Sequence, residues 1–125
     1  NGGYLVTPYL SKLAKENTSY KQPIKVDIDP KHLQVIRNGL SKVVQSGTGV
    51  SMNYGSYNFP PISGKTGTAE DALGGPDHAW FVCFAPSENS ELLVVAFAEN
   101  TPGGGSVHAL PMAKKILEEW HKINN

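Results

Sequence analysis

The sequence has little of what metal binding, nucleic-acid binding and membrane insertion require. It contains one cysteine, Cys83, and four scattered histidines without the spacing of a metal-ligand set, so we expect no metal site. The 11 basic and 11 acidic residues give a formal net charge of zero, which disfavours nucleic acid or an anionic membrane surface as a partner. No stretch is apolar over the length that a membrane helix needs. Cys83 lies in an apolar run, which predicts a small core residue.

An initiator methionine and a signal peptide are also missing, and the chain begins Asn1-Gly2-Gly3. We therefore expect a piece of a longer protein. Its 125 residues, of which 39% are hydrophobic and 18% charged, have room for one domain with a modest core.

The stretch Ser63–Glu70 (SGKTGTAE) carries the main chemical signal in the chain. A Pro-Pro pair precedes it, and because proline neither continues a helix nor donates to a sheet ladder, the chain is expected to enter the stretch extended. The alternating pattern then predicts a short strand, with Thr66 and Thr68 on one side and Gly67 and Ala69 on the other. A lysine, two hydroxyl groups and open backbone on one strand suit an anionic ligand.

Two other interpretations fit parts of this stretch. The first is a surface hairpin that carries a lysine, and the residues alone leave it open. The second is a phosphate-binding loop, because Gly-Lys-Thr ends that motif, but the glycine it requires five residues before Gly64 is Phe59 here. The Pro-Pro pair also removes two backbone N–H donors that a phosphate cradle uses. We therefore reject the phosphate-binding loop.

Further helices and strands are predicted on either side of this strand. Asp29 as a cap and Pro30 at the first helical position start a helix, which Gly47 ends. Two runs, His78–Ala85 and Glu91–Ala98, are apolar at nearly every position, which predicts antiparallel strands covered on both faces and joined by a short turn. The last predicted element is a helix whose apolar face is formed by Ala113, Ile116, Leu117 and Trp120.

The remaining segments are predicted to be irregular. Residues 4–14 are expected to be extended, 15–28 to form a loop with a short strand, and 46–58 and 100–106 to form loops. The sum of these predictions is an α+β fold. An antiparallel sheet of three or more strands is covered by one helix before it and one helix after it.

This order of elements, with Lys-Thr-Gly at 65–67 on the first strand, resembles the C-terminal part of the transpeptidase domain of penicillin-binding proteins. The Lys-Thr-Gly element is typical of penicillin-recognising serine enzymes. Two further blocks are similar to that family, the helix that ends in Gly-Thr-Gly at 47–49 and the run Asp77–Pro86 (DHAWFVCFAP). The resemblance covers essentially all of residues 1–125 and is greatest to class B enzymes, in particular the penicillin-binding protein 2 group of the cell-elongation machinery.

The sequence also departs from the family's pattern. No serine is followed by lysine three positions later, so the family's Ser-x-x-Lys nucleophile motif is absent from these residues. Ser51-Met52-Asn53 has the form of the family's second motif, but it lies much closer to Lys65 than in the family, and we interpret it as a coincidence. The resemblance therefore implies a partial transpeptidase domain that lacks its nucleophile and is inactive alone.

For the intact parent, the resemblance implies peptidoglycan D,D-transpeptidation. The reaction is acyl transfer from D-alanyl-D-alanine through a serine ester, which β-lactams block, and it implies no cofactor. Lys65 is implied to support proton transfer and to supply positive charge, and the Thr68 backbone N–H to form half of an oxyanion hole. The implied substrate-binding residues are Lys65, Thr66, Gly67 and Thr68. His78 and Trp80 are assigned structural roles.

The resemblance also implies a setting and partners. The parent is expected in the bacterial inner membrane with this domain on the periplasmic side, binding peptidoglycan stem peptides, β-lactams and proteins of the elongation machinery. The residues alone leave two alternatives open, a serine β-lactamase-like enzyme and a non-catalytic module that binds a peptide or penicillin. The family strand that neighbours Leu92–Ala98 is absent here, so we expect the chain to self-associate through this strand's edge or through the uncovered sheet face.

Overall fold

The chain folds into two compact units, Asn1–Ile36 and Arg37–Asn125. The computed structural model describes residues 1–11, 13, 22–53 and 59–124. In chain order, the strands and helices are β1 (Tyr4–Leu5), β2 (Ile24–Lys25), α1 (Pro30–Ser46), a 3₁₀ turn (Val50–Asn53), β3 (Ser63–Ala69), β4 (His78–Ala85), β5 (Leu92–Ala98) and α2 (Ala109–Asn124). No helix in the described part of the chain is long and apolar enough to cross a bilayer.

The first unit contains a two-stranded antiparallel ladder. β1 pairs with β2, with Tyr4 opposite Lys25 and Leu5 opposite Ile24. The Lys25 ammonium donates to the carbonyl oxygen of Gly2 at 2.6 Å and lies 4.6 Å from the centre of the Tyr4 ring. The predicted extended start and the predicted short strand are confirmed at these positions, but Leu13 is helical where the sequence predicted an extended segment. The predictions for residues 12, 14–21 and 54–58 lie outside the described residues.

The helix α1 has the predicted start and end. The Asp29 carboxylate accepts a hydrogen bond from the Lys31 N–H at 2.9 Å, which caps a helix whose first residue is Pro30. At the other end, Gly47 and Gly49 both donate their N–H to the carbonyl oxygen of Val43, at 3.1 and 2.9 Å. The residues of α1 from position 37 onward belong to the second unit.

The second unit is built on a three-stranded antiparallel sheet in the order β3-β4-β5. Alternate residues of β4 and β5 point to the same face, and α2 packs across that face. The buried core comprises Val44, Met52, Ile62, Ala79, Phe81, Cys83, Ala85, Val94, Ala96, Ala109, Leu110, Ala113 and Leu117. The predicted α+β class, with a three-stranded antiparallel sheet and two helices, is confirmed.

The opposite face of the sheet is not buried. Trp80, Leu93, Val95 and Phe97 lie on this face with 38%, 64%, 55% and 40% of their surface exposed. The indole of Trp80 packs on the Phe97 ring at a centroid distance of 4.3 Å. The prediction that β4 and β5 are covered on both faces is therefore wrong, because an apolar run shows that a strand suits burial but not whether the same chain supplies both covering layers.

The helix α2 buries a narrower stripe than predicted. Ala113 and Leu117 are buried as expected, and Leu110 extends the stripe by one turn. Ile116, placed on the apolar face by the sequence, is 49% exposed. It lines a groove of about 490 Å³ together with Leu92 and a half-buried Trp120. Ile116 and Trp120 thus flank the buried stripe instead of forming its centre.

Candidate substrate-binding strand

The strand β3 presents its side chains as the sequence predicted. Thr66 pairs with Phe81 and Thr68 with Ala79, and because directly opposed residues share a face, both threonines lie on the face that α2 covers. Lys65 lies on the opposite face. β3 is at the edge of the sheet, so one side of its backbone has no strand beside it in the described part of the chain.

The Lys65 side chain is exposed and turns back toward its own strand. Its ammonium donates to the Thr66 carbonyl oxygen at 2.6 Å. The Lys65 side chain starts on the outer face of the sheet, but this hydrogen bond brings its ammonium group to the strand backbone. The Thr66 and Thr68 hydroxyls lie on the other face of the same strand. Among the described residues, no carboxylate forms an ion pair with Lys65. The positive charge is therefore not neutralised within this part of the molecule.

The two threonine hydroxyls differ in their contacts. The Thr66 hydroxyl lies 2.8 Å from that of Thr48, which follows α1 in the chain, and either oxygen can be the donor. Thr68 is exposed, and its hydroxyl has no hydrogen-bond partner among the described residues. Together with the Lys65 ammonium, these hydroxyls form a cationic, donor-rich strand edge that suits a carboxylate ligand.

A glycine-rich loop between β5 and α2 packs against this strand. A Cβ atom on Gly104, whose φ is +72°, would lie 2.6 Å from the Thr68 hydroxyl oxygen. A Cβ atom on Gly105 would collide with the Trp80 carbonyl oxygen and approach the backbone oxygen of Gly67 to 2.8 Å. The sequence predicted this loop but not its contact with β3. Only glycine permits so close an approach of two backbones.

Thr48 is the other residue of this site that sequence reasoning missed. Its triplet, Gly-Thr-Gly at 47–49, was noted for its resemblance to a family, but a contact between residues 48 and 66 has no local signature in the sequence. Pairing of a helix-end turn with a strand depends on how the core packs, which periodicity does not reveal.

His78 forms contacts within the fold. The Nδ1 atom of His78 accepts the Asn100 N–H at 3.1 Å, and the ring lies 5.7 Å from that of Phe97. These contacts support the structural role assigned to His78. Among the described residues, no three His, Cys, Asp or Glu side chains form a group that could hold a metal ion.

The Ser51-Met52-Asn53 triplet forms part of the 3₁₀ turn. Met52 is buried, and the Asn53 amide donates to the Val44 carbonyl oxygen at 2.7 Å. The Lys114 ammonium donates to the Ser51 carbonyl oxygen at 3.1 Å. Met52 thus packs in the core, and the Asn53 side chain and the Ser51 backbone carbonyl each form a hydrogen bond to a helix, which supports the interpretation that the triplet's likeness to a catalytic motif is a coincidence.

Comparison with known protein families agrees with this geometry. The family model for the penicillin-binding protein transpeptidase domain matches residues 1–118. The chain belongs to this family. It is 30% identical to the peptidoglycan D,D-transpeptidase MrdA of Haemophilus influenzae, over 96% of this chain but only 21% of MrdA. The chain thus spans about a fifth of the length of this relative.

Solved transpeptidase structures have the same fold. Pseudomonas aeruginosa PBP2 in complex with WCK 5153 superposes with a TM-score of 0.65 at 31% identity, over 83% of this chain and 22% of that one. The imipenem acyl-enzyme complex of Mycobacterium tuberculosis penicillin-binding protein A gives a TM-score of 0.70 at 27% identity, over 94% and 27% of the two chains. Helicobacter pylori PBP2, solved in a complex with MreC, gives a TM-score of 0.68 over 85% and 20% of the chains, at 23% identity, which supports the fold alone.

Proposed function

We propose that this chain forms the carboxylate-binding side of a peptidoglycan D,D-transpeptidase active site, within a longer protein that supplies the nucleophile. The observation that carries the proposal is the edge of β3. There the Lys65 ammonium, which has no carboxylate partner among the described residues, contacts the backbone of Thr66, on the same strand as the Thr68 hydroxyl. A peptide that ends in D-alanyl-D-alanine presents a carboxylate to such an edge.

The side chains divide the binding task between them. The Thr66 and Thr68 hydroxyls donate to the substrate carboxylate, and the Lys65 charge strengthens both hydrogen bonds. Lys65 also supports proton transfer at the nucleophile. Gly67, between the threonines, lets the substrate backbone come close to the strand.

The backbone of β3 has a second task. Residues i and i+2 of a strand direct their backbone groups to the same side. The contact of Lys65 with the Thr66 carbonyl therefore supports an outward direction for the backbone of Thr68 as well. The Thr68 N–H then forms half of an oxyanion hole, and the substrate backbone extends the sheet beside β3.

The reaction itself needs a serine from outside these 125 residues. That serine attacks the carbonyl carbon between the two D-alanines, the terminal D-alanine leaves, and an amine of a second stem peptide takes up the acyl group. None of the serines in this chain has the lysine that activates the family's nucleophile. Ser63 is buried, and its hydroxyl donates to that of Ser87 at 2.8 Å, so it cannot take over the role. The chain alone is therefore inactive.

The setting of the parent follows from the same assignment. A transpeptidase acts on peptidoglycan, so its domain lies on the periplasmic side of the bacterial inner membrane to which the parent is anchored. The similarity to Pseudomonas aeruginosa PBP2 supports placing the parent in the cell-elongation machinery, with a partner protein from that machinery. Stem peptides are its substrates, and β-lactams its inhibitors.

The proposal is tested by incubating both the complete parent and the 125-residue chain with a labelled penicillin, followed by intact-mass analysis. We expect a covalent adduct on the parent and none on the chain. An adduct on Ser51 or Ser63 of the isolated chain would contradict the assignment of the nucleophile to another part of the protein. A parent that forms no adduct, while remaining folded by circular dichroism, would overturn the proposed function.

A further inference from the structure

Thr48 lies on a turn that is fixed from several sides. Gly47 and Gly49, on either side of it, both donate to the Val43 carbonyl oxygen, and Gly47 in turn accepts the Val50 N–H at 3.1 Å. Neither flanking glycine has room for a side chain without a shift, because a Cβ at Gly47 would lie 2.9 Å from the Val43 Cα, and one at Gly49 would lie 3.2 Å from the Val43 oxygen. The position of the Thr48 backbone is thus determined by the end of α1.

The following residues attach the same turn to the core of the second unit. Met52 is 1% exposed and belongs to the core cluster. The Asn53 side-chain amide donates a hydrogen bond to the Val44 carbonyl oxygen of α1, and the Lys114 ammonium of α2 donates one to the Ser51 carbonyl oxygen. A helix end, a core side chain and a second helix thus hold the backbone around Thr48, and its exposed side chain places the hydroxyl 2.8 Å from the Thr66 hydroxyl.

A hydroxyl group has one hydrogen to donate, so the direction of this bond matters. If Thr66 donates to Thr48, the Thr66 hydrogen is not available to a ligand. If Thr48 donates to Thr66, the Thr66 hydrogen is free to point at a carboxylate, and the first bond polarises the second. An anionic ligand selects the second arrangement because it can only accept hydrogen bonds.

We propose that Thr48 is a positioning residue that donates to the Thr66 hydroxyl and so directs the Thr66 hydrogen toward the substrate carboxylate. This inference rests on the proposed function, and it assigns a role in that site to an element outside the Lys-Thr-Gly strand. In this role Thr48 acts through the Thr66 hydroxyl and not on the substrate itself. Its contribution therefore depends on two partners, the Thr66 hydroxyl and a negatively charged ligand group.

The experiment measures the second-order acylation rate of the complete parent by benzylpenicillin and by its methyl ester, which has no carboxylate charge. With Thr48→Val, which keeps the shape but removes the hydroxyl, we expect the rate with the acid to fall roughly three- to tenfold and the rate with the ester to stay unchanged. Thr48→Ser keeps the hydroxyl and restores the rate with the acid. Thr7→Val is the matched control, since Thr7 is an exposed threonine of the first unit, and it leaves both rates unchanged.

A double-mutant cycle isolates the pair. If Thr48 acts through Thr66, adding Thr48→Val to a Thr66→Val protein causes no further loss of rate. Equal losses with the acid and the ester, or additive losses in the cycle, overturn the inference and leave Thr48 as a structural contact. If Thr48→Val does not fold, Thr48→Ala replaces it in the same cycle and tests whether the effect of residue 48 depends on Thr66. An unmodified parent that penicillin does not acylate overturns the proposed function instead, and this inference with it.

Discussion

Lys65 combines exposure with a short contact to its own strand. The charge of an exposed lysine usually interacts only weakly with distant groups, because water and salt screen it. Here the contact with the Thr66 carbonyl holds the ammonium at the strand backbone, so the charge acts at short range on any group that pairs with the strand. A short-range, charge-assisted hydrogen bond is stronger than a neutral one by about a factor of two.

We therefore expect Lys65→Ala in the complete parent to lower the rate of acylation by penicillin by roughly one to two orders of magnitude, the effect of losing hydrogen bonds to a charged group. Lys65→Arg keeps the charge but not the compact shape of the ammonium group. Its acylation rate should therefore lie between those of the unmodified parent and Lys65→Ala. Stopped-flow acylation kinetics measure these rates. Lys42→Ala, at an exposed lysine of α1, serves as the control. Equal rates for Lys65→Ala and the unmodified protein would remove Lys65 from the mechanism.

At the scale of a single element, β4 is the centre of the sheet and carries the only cysteine. Cys83 is fully buried, and burial raises the pKa of its thiol from 9.0 to about 12, because the charged thiolate is poorly solvated there. The unfolded chain keeps the ordinary thiol pKa. Between these two values, the unfolded state binds fewer protons than the folded state, so stability falls as the pH rises.

Cys83 therefore predicts a loss of stability under alkaline conditions. The free energy of unfolding should fall by on the order of 1 kcal/mol between pH 8 and pH 10 through this residue alone. Urea denaturation of the unmodified chain and of Cys83→Ala at both pH values measures it. All other ionisable side chains are common to the two proteins, so the difference between the two pH dependences isolates the thiol. If the free energy of unfolding had the same pH dependence in both proteins, Cys83 would not be the cause of the alkaline loss of stability.

The elements were more predictable from the sequence than their contacts. The start of α1 at Pro30 and the alternation along β3 follow from local rules of capping and pleating, and both are confirmed. The contact of Thr48 with Thr66 and that of Gly104 with Thr68 join residues far apart in sequence, and no local rule predicts them. The exposed face that carries Trp80 was also missed, since the same apolar pattern fits one covering layer or two.

At the scale of the whole molecule, β5 is an open edge. It pairs with β4 on one side, and no strand of the described residues pairs with its other side. From Leu92 to Ala98 it contains no charge and no proline, the residues that usually block further pairing. Leu93, Val95 and Phe97 are exposed along one face of it. Two copies that pair antiparallel through this edge would align these apolar side chains around a two-fold axis.

We propose that the isolated chain forms such a dimer, and expect its molar mass by light scattering to double as its concentration rises. Val95→Lys should keep it monomeric, because two like charges would meet near the two-fold axis. Val35→Lys, at an exposed valine of α1, should leave the dimer intact. Hydrogen exchange should slow along β5 in the dimer. A constant monomer mass at all concentrations would show that the chain tolerates the open edge.

The glycines that border β3 also limit how this protein can evolve. A side chain at Gly64 would lie 2.8 Å from the Val82 carbonyl oxygen, and one at Gly104 or Gly105 would press on the Thr68 hydroxyl or the Gly67 backbone. Under the proposed function, an inhibitor that imitates the substrate carboxylate contacts a surface whose supporting glycines cannot gain a side chain unless the atoms around them shift. Drug-resistant variants are then expected mainly at neighbouring positions that already carry a side chain.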